Sequence, residues 1–167
     1  GKELVYFYLS HNFFSGVIPP SYGNFSSMHG FELEFNMFTG SIPSTLQHLT
    51  ILTNINLAGN FFSGVVDWLA PSLPLLSSID ISVNLFTGPL APYTKFTKLS
   101  GIIISNNLFS DMFPCSFASP KASYIDAVVN LFSGTFPSCF ENAPSLQFIY
   151  LQENMMSGDV LNSFNWT

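Results

Sequence analysis

The chain has 167 residues and a net charge of −6, with only 8% of its residues charged. Its only lysines and arginines are Lys2, Lys95, Lys98 and Lys121, which removes the attraction that nucleic-acid binding and docking on anionic membranes rest on. No apolar run approaches the ~20 residues of a membrane-spanning helix, whereas a 47% hydrophobic content with 19 Phe supplies ample core for one domain spanning 1–167.

The first element opens at Leu4. Leu4, Phe7 and Leu9 lead to Asn12, and the same L-x-x-L-x-L-x-x-N frame returns along the chain with Asn36, Asn60, Asn84, Asn107, Asn130 and Asn154. The spacings are 24, 24, 24, 23, 23 and 24 residues, a period that predicts a solenoid of seven repeats. The alternation before each Asn predicts a short strand whose second and third apolar residues point inward, and stacking the repeats about 4.8 Å apart makes a parallel sheet. Each Asn follows its strand where the chain must bend, so the seven side-chain amides are expected to form a buried ladder that satisfies backbone groups at the bend.

Two positions after the Asn comes another apolar residue (Phe14, Phe38, Phe62, Phe86, Phe109, Phe132, Met156), and four positions after it comes Gly, except at Asp111 in the fifth repeat. The residue immediately after each Asn is also apolar: Phe13, Met37, Phe61, Leu85, Leu108, Leu131 and Met155. Alternation turns these seven outward into a ridge, a candidate association surface, unless the bend rotates them into the core. A ladder of Ser and Thr from Ser15 to Ser157 runs beside them.

The full pattern, L-x-x-L-x-L-x-x-N-x-F-x-G-x-I-P, resembles the plant-specific class of leucine-rich repeat. The Ile-Pro element is literal in Val17-Ile18-Pro19 and Ser41-Ile42-Pro43, and survives as Phe113-Pro114 and Phe136-Pro137. The resemblance covers essentially the whole chain. It implies an α/β, mostly β, leucine-rich-repeat solenoid with a parallel sheet on one face and short helical turns on the other. It also implies a non-catalytic, extracellular recognition module of the receptor-ectodomain kind, without cofactor, with a protein or peptide partner. The sequon at Asn24 falls in a turn matching the family's exposed L-G-N-L-S-S, and a second sequon stands at Asn165; both are candidate glycosylation sites.

On the convex side, 44–49 is expected to make a short helical turn. Pro71, Pro74, Pro92, Pro120 and Pro144 predict 3₁₀ turns and irregular backbone in the later connections. Cys115 and Cys139 stand eight and nine residues past their Asn, near neighbours on adjacent repeats. They read either as a disulfide or as two small buried thiols.

The central outward positions of the strands are Tyr8, Glu32, Asn56, Asp80, Ile103, Asp126 and Tyr150, with Glu34 and Glu153 nearby. This is a sparsely acidic face with aromatic ends, expected to bind a ligand through Tyr8, Glu32, Asn56, Asp80, Asp126 and Tyr150. Carboxylates two rungs apart approach the separation of an inverting glycosidase pair, but an open sheet is expected to leave them too solvated for acid catalysis. His11 and His29 lie at different levels of adjacent strands, too far apart to share a metal, and His48 belongs to the opposite side. The chain is therefore read as neither enzyme nor metal protein. It carries no basic, hydrophobic leader and no capping segment, and its two ends are nearly in phase with the repeat. This motivates an alternative in which copies stack end to end as a self-assembling filament.

Overall fold

The computed structural model describes residues 3–67, 73–90 and 96–159; Lys2, Pro71, Pro92, Lys95 and Asn165 lie outside them. Seven three-residue strands, Tyr6–Tyr8, Gly30–Glu32, Asn54–Asn56, Ser78–Asp80, Gly101–Ile103, Tyr124–Asp126 and Phe148–Tyr150, form one parallel sheet in sequence order. The register is unbroken: Phe7, Phe31, Ile55, Ile79, Ile102, Ile125 and Ile149 stand opposite one another, and so do the seven residues from Tyr8 to Tyr150. A one-residue slip would turn the whole apolar set to solvent, so the alternation itself enforces the pairing.

Each Asn after Asn12 fastens its own bend to the one before. The Asn84 amide donates to the carbonyls of Ile81 and Ser82 in its own repeat and to Leu57 in the preceding one, while its Oδ1 accepts from the Phe62 N–H at 2.9 Å. The same links recur at Asn36, Asn60, Asn107 and Asn130. These five are buried; Asn154 is half-buried and Asn12, which bonds within its own turn, is exposed. The expected buried ladder thus holds in the middle five rungs. The Asn12 and Asn154 amides remain in contact with solvent, because burial requires a stacked turn on both sides.

The residue ahead of each Asn pays conformationally for this bend. His11, Phe35, Gly59, Val83, Asn106, Val129 and Glu153 all have φ between 52° and 63°, a region easy for Gly, tolerated by Asn and most costly for the β-branched Val83 and Val129.

Beyond the bend lies a second ribbon. Ser15–Gly16, Met37–Gly40, Phe61–Gly64, Leu85–Gly88 and Leu108–Phe109 pair in parallel, and Ser133–Gly134 pairs separately with Met155–Met156. The interruption falls where Asp111 replaces Gly; Asp111 adopts φ 67°, and an isolated bridge from Met112 to Ser133 spans the gap. Behind the ribbon, Phe14, Phe38, Phe62, Phe86, Phe109 and Phe132 stack with centroids 5.9–6.4 Å apart and rings within 16° of parallel, forming an aromatic spine that is buried from Phe62 to Phe132, half-buried at Phe38 and exposed at Phe14.

The convex side carries 3₁₀ turns at Pro20–Asn24, Ser44–His48, Cys115–Phe117 and Ser138–Asn142. Each follows a Pro, whose fixed φ suits a tight turn and whose missing N–H ends the preceding extended run. A Cβ at Gly23 would collide with the Thr45 backbone, which explains why the first two turns pack so closely. Cys115 and Cys139 are joined by a disulfide with Cα atoms 5.9 Å apart.

Candidate functional site: two outward faces

The concave face presents the column from Tyr8 to Tyr150, and the structure brings all six sequence-predicted ligand-face residues together on it. Tyr8 is exposed; Glu32, Asn56, Asp80, Asp126 and Tyr150 are half-buried. At one end Tyr6 packs on Tyr8 (5.6 Å) and on His29 (6.2 Å), and the Tyr8 ring lies over the bare Gly30. At the other, Tyr124, Phe148 and Tyr150 form a second cluster with centroids 5.7–6.5 Å apart. Tyr6, Tyr124 and Phe148 escaped the sequence reading of this face. The signal was available, since each stands two residues before a column residue and shares its outward parity.

Between the aromatic ends, the polar side chains are anchored. Oδ1 of Asn56, Asp80 and Asp126 accepts from the N–H two residues on, at Ala58, Ser82 and Val128, over 3.0–3.1 Å. The Ser82 hydroxyl donates to Asp80 at 2.7 Å and the Ser105 hydroxyl to Asp126 at 3.2 Å. These local turns hold the carboxylates in fixed positions along the rungs.

Burial raises the Asp80 pKa above its ordinary value, the Ser82 hydrogen bonds oppose that, and the charges of Asp126 and Glu34 add to it. Glu32 is raised by burial and then by Glu34. Tyr8 and Tyr124 are also raised, first by desolvation and then by neighbouring acidic and phenolic groups. Open as the face is, burial and neighbouring carboxylates therefore raise Glu32 and Asp80. The Glu34 Oε2 is buried without a hydrogen-bond partner. The described lysines, Lys98 and Lys121, lie exposed on the connections, so among the described residues no lysine offsets this negative column.

The histidines do other things. His11 stacks on Phe35 with centroids 4.6 Å apart, and His29 Nδ1 meets the Ser27 carbonyl at 3.0 Å. Among the described residues no three His, Cys, Asp or Glu gather as a metal site. Asn24 is exposed at the end of its 3₁₀ turn, accessible to modification; Asn165 lies outside the described residues.

The second outward face is the ridge on the ribbon. Phe13, Met37, Phe61, Leu85, Leu108, Leu131 and Met155 are all exposed, from 43% to 87%. The bend does not rotate them inward, because the Phe spine already fills that side of the ribbon. Main-chain bonds such as Met37 N–H to Phe14, Leu131 N–H to Phe109 and Met155 N–H to Phe132 hold the ridge in line.

The leucine-rich-repeat family model matches residues 3–25. Among solved structures, the chain is similar to the Arabidopsis receptor kinase HAESA in complex with the peptide hormone IDA and the co-receptor SERK1, at 30% identity and a TM-score of 0.89 over 93% of this chain and 26% of that one. It is similar to PEPR1 in its PEPR1-AtPEP1 structure, at 29% identity and a TM-score of 0.88 over 95% of this chain and 23% of that one. A Pollen Receptor Kinase 3 structure shares the fold, at 19% identity and a TM-score of 0.82 over 95% of this chain and 77% of that one. The chain thus spans about a quarter of the length of HAESA and PEPR1 as solved. No curated protein matches it in sequence. No described helix is long and apolar enough to cross a membrane. The repeat frame, the stacked parallel sheet and these likenesses agree: the chain has the leucine-rich-repeat fold and is similar to plant-type leucine-rich-repeat proteins.

Proposed function

We propose that the chain is a non-catalytic recognition module, acting at the cell exterior, whose concave face binds an extended peptide segment carrying basic side chains. The carrying observation is the row of Glu32, Asp80 and Asp126, the two aspartates anchored by hydrogen bonds and Glu32 and Asp80 raised by burial, with no described lysine on the face and an aromatic cluster at each end. A cation laid along the row relieves the mutual repulsion, and the aromatic clusters hold side chains or cations at the two ends. Six rung spacings cover roughly 29 Å, the reach of about eight or nine extended residues. HAESA with the peptide hormone IDA, and PEPR1 with AtPEP1, support the peptide class of ligand. End-to-end stacking into a filament finds no support in the similar structures.

The test is a titration with a labelled nonapeptide alternating Arg and Ala, against the same peptide with Glu for Arg. The Arg peptide binds, more weakly as salt is raised, and Asp80→Lys with Asp126→Lys weakens it at least about tenfold, the loss of ~1.4 kcal/mol or more. Equal binding of the Arg and Glu peptides, or no effect of the double change in a folded chain, contradicts the reading.

A further inference from the structure

The ridge from Phe13 to Met155 is unlike the concave face in having no charge on it: neither its column nor the adjoining Ser/Thr column contains a single ionisable side chain. Exposed side chains of Phe, Met and Leu at these levels leave on the order of 700 Å² of apolar surface, taking ~150–250 Å² for a whole aromatic side chain. That exceeds the ~300–600 Å² of the largest apolar patch on a typical monomer and approaches the ~800 Å² each partner gives to a standard interface. Val17, Val65 and Met112, also exposed, widen it. This surface lies along the side of the coil and is the same on every rung.

We propose that the ridge is the interface of a two-fold dimer, its occupant a second copy of this chain with the rungs running in opposite directions. The surface is chemically complementary to itself. Apolar side chains need no particular partner, and each Ser or Thr hydroxyl both donates and accepts, so a hydroxyl column satisfies its own copy. A chain of net charge −6 associates with itself most easily where it carries no charge, and the ridge is such a strip. The direction follows from two ionisable side chains beside the ridge. Beside the ridge, the first rung carries His11 and the seventh Glu153, both exposed. Opposed rungs set His11 of one copy by Glu153 of the other, whereas rungs running the same way set Glu153 against its own copy. When two 1–167 chains pair antiparallel over all seven rungs, rung four, at Leu85, stands on the two-fold axis.

Sedimentation equilibrium of the 1–167 chain tests the association, and cysteine trapping tests the direction. The native chain sediments as a dimer; Leu85→Asp with Leu108→Asp, both exposed in the free chain, shifts it to monomer with its circular dichroism unchanged, and the milder Leu85→Ser weakens the dimer at least tenfold. With Cys115 and Cys139 already joined, Leu85→Cys crosslinks to itself under mild oxidation, while Phe13→Cys crosslinks to Met155→Cys and not to itself. A native monomer at all concentrations, or a dimer indifferent to both ridge variants, overturns the interface. Efficient self-crosslinking of Phe13→Cys overturns the antiparallel arrangement.

Discussion

The concave column and the ridge are built by one rule, the alternation of side chains along a short strand, yet they end in opposite chemistry. On the concave side the outward residues are anchored by local hydrogen bonds and crowded with negative charge. On the ridge they are uncharged, apolar and half open to water. The lesson is that a repeat fixes where side chains point, and the residue chosen at each outward position decides what kind of partner is met there. Between the faces lies only the bend carrying the Asn ladder, so the faces are rigidly coupled in position but independent in chemistry.

The most disruptive way to break that comparison is to remove the bend itself. Asn84→Leu orphans the buried Phe62 N–H and removes the amide from the carbonyls of Leu57 and Ser82. At ~1–3 kcal/mol for each unsatisfied buried group, the loss is about 4 kcal/mol. Urea unfolding followed by circular dichroism reads it, and both faces should fail together; a loss below ~1 kcal/mol would show that the ladder is not what joins them.

A smaller change sharpens the comparison by relaxing the bend without touching either face. Val83 is exposed at φ 52°, where a β-branched side chain costs ~1–2 kcal/mol. Asn tolerates that conformation, so Val83→Asn should stabilise by about 1 kcal/mol, raising the melting temperature by ~2–4 °C for a chain of this size. No gain would mean that Val83 packs productively at the corner.

The smallest effect belongs to one carboxylate. Because the folded pKa of Asp80 is raised, the native state holds its proton to higher pH than the unfolded chain does. Stability attributable to this group is therefore present at low pH and declines as pH rises from the ordinary value of 3.8 through the raised folded value. Asp80→Asn keeps the Oδ1 acceptor for Ser82 and removes the charge, so it should flatten that decline and stabilise the neutral-pH protein by no more than ~0.5 kcal/mol, as expected of a surface position. A melting temperature that falls steadily with pH below 7 to the same extent in both proteins would show that Asp80 is not under this strain.

Much of the fold was legible because the period is carried by residues of one type at one spacing. Asn36 through Asn130, the inward Phe7-to-Ile149 row and the outward ridge all stand where alternation put them. The rest depended on neighbouring turns and not on local pattern. Nothing in the Val83 or Val129 side chain announces a left-handed backbone; the stacked bends impose it. The interruption of the second ribbon at Asp111 follows from a single missing Gly whose consequence appears only between repeats. On the concave face the column was readable, but the raised Asp80 and the anchoring by Ser82 and Ser105 arise from contacts within and between neighbouring rungs. The aromatic partners Tyr6, Tyr124 and Phe148 shared the right parity and became part of the face only when the neighbouring rungs stacked their rings together.

The separation of the two faces is tested most directly by measuring the affinity of the Arg-Ala nonapeptide for three proteins in parallel: the native chain, Asp80→Lys with Asp126→Lys, and Leu85→Asp with Leu108→Asp. The concave face as binding site predicts at least a tenfold loss in the second protein and an unchanged affinity in the third. An unchanged affinity in the second with a loss in the third would place the peptide on the ridge and contradict the account.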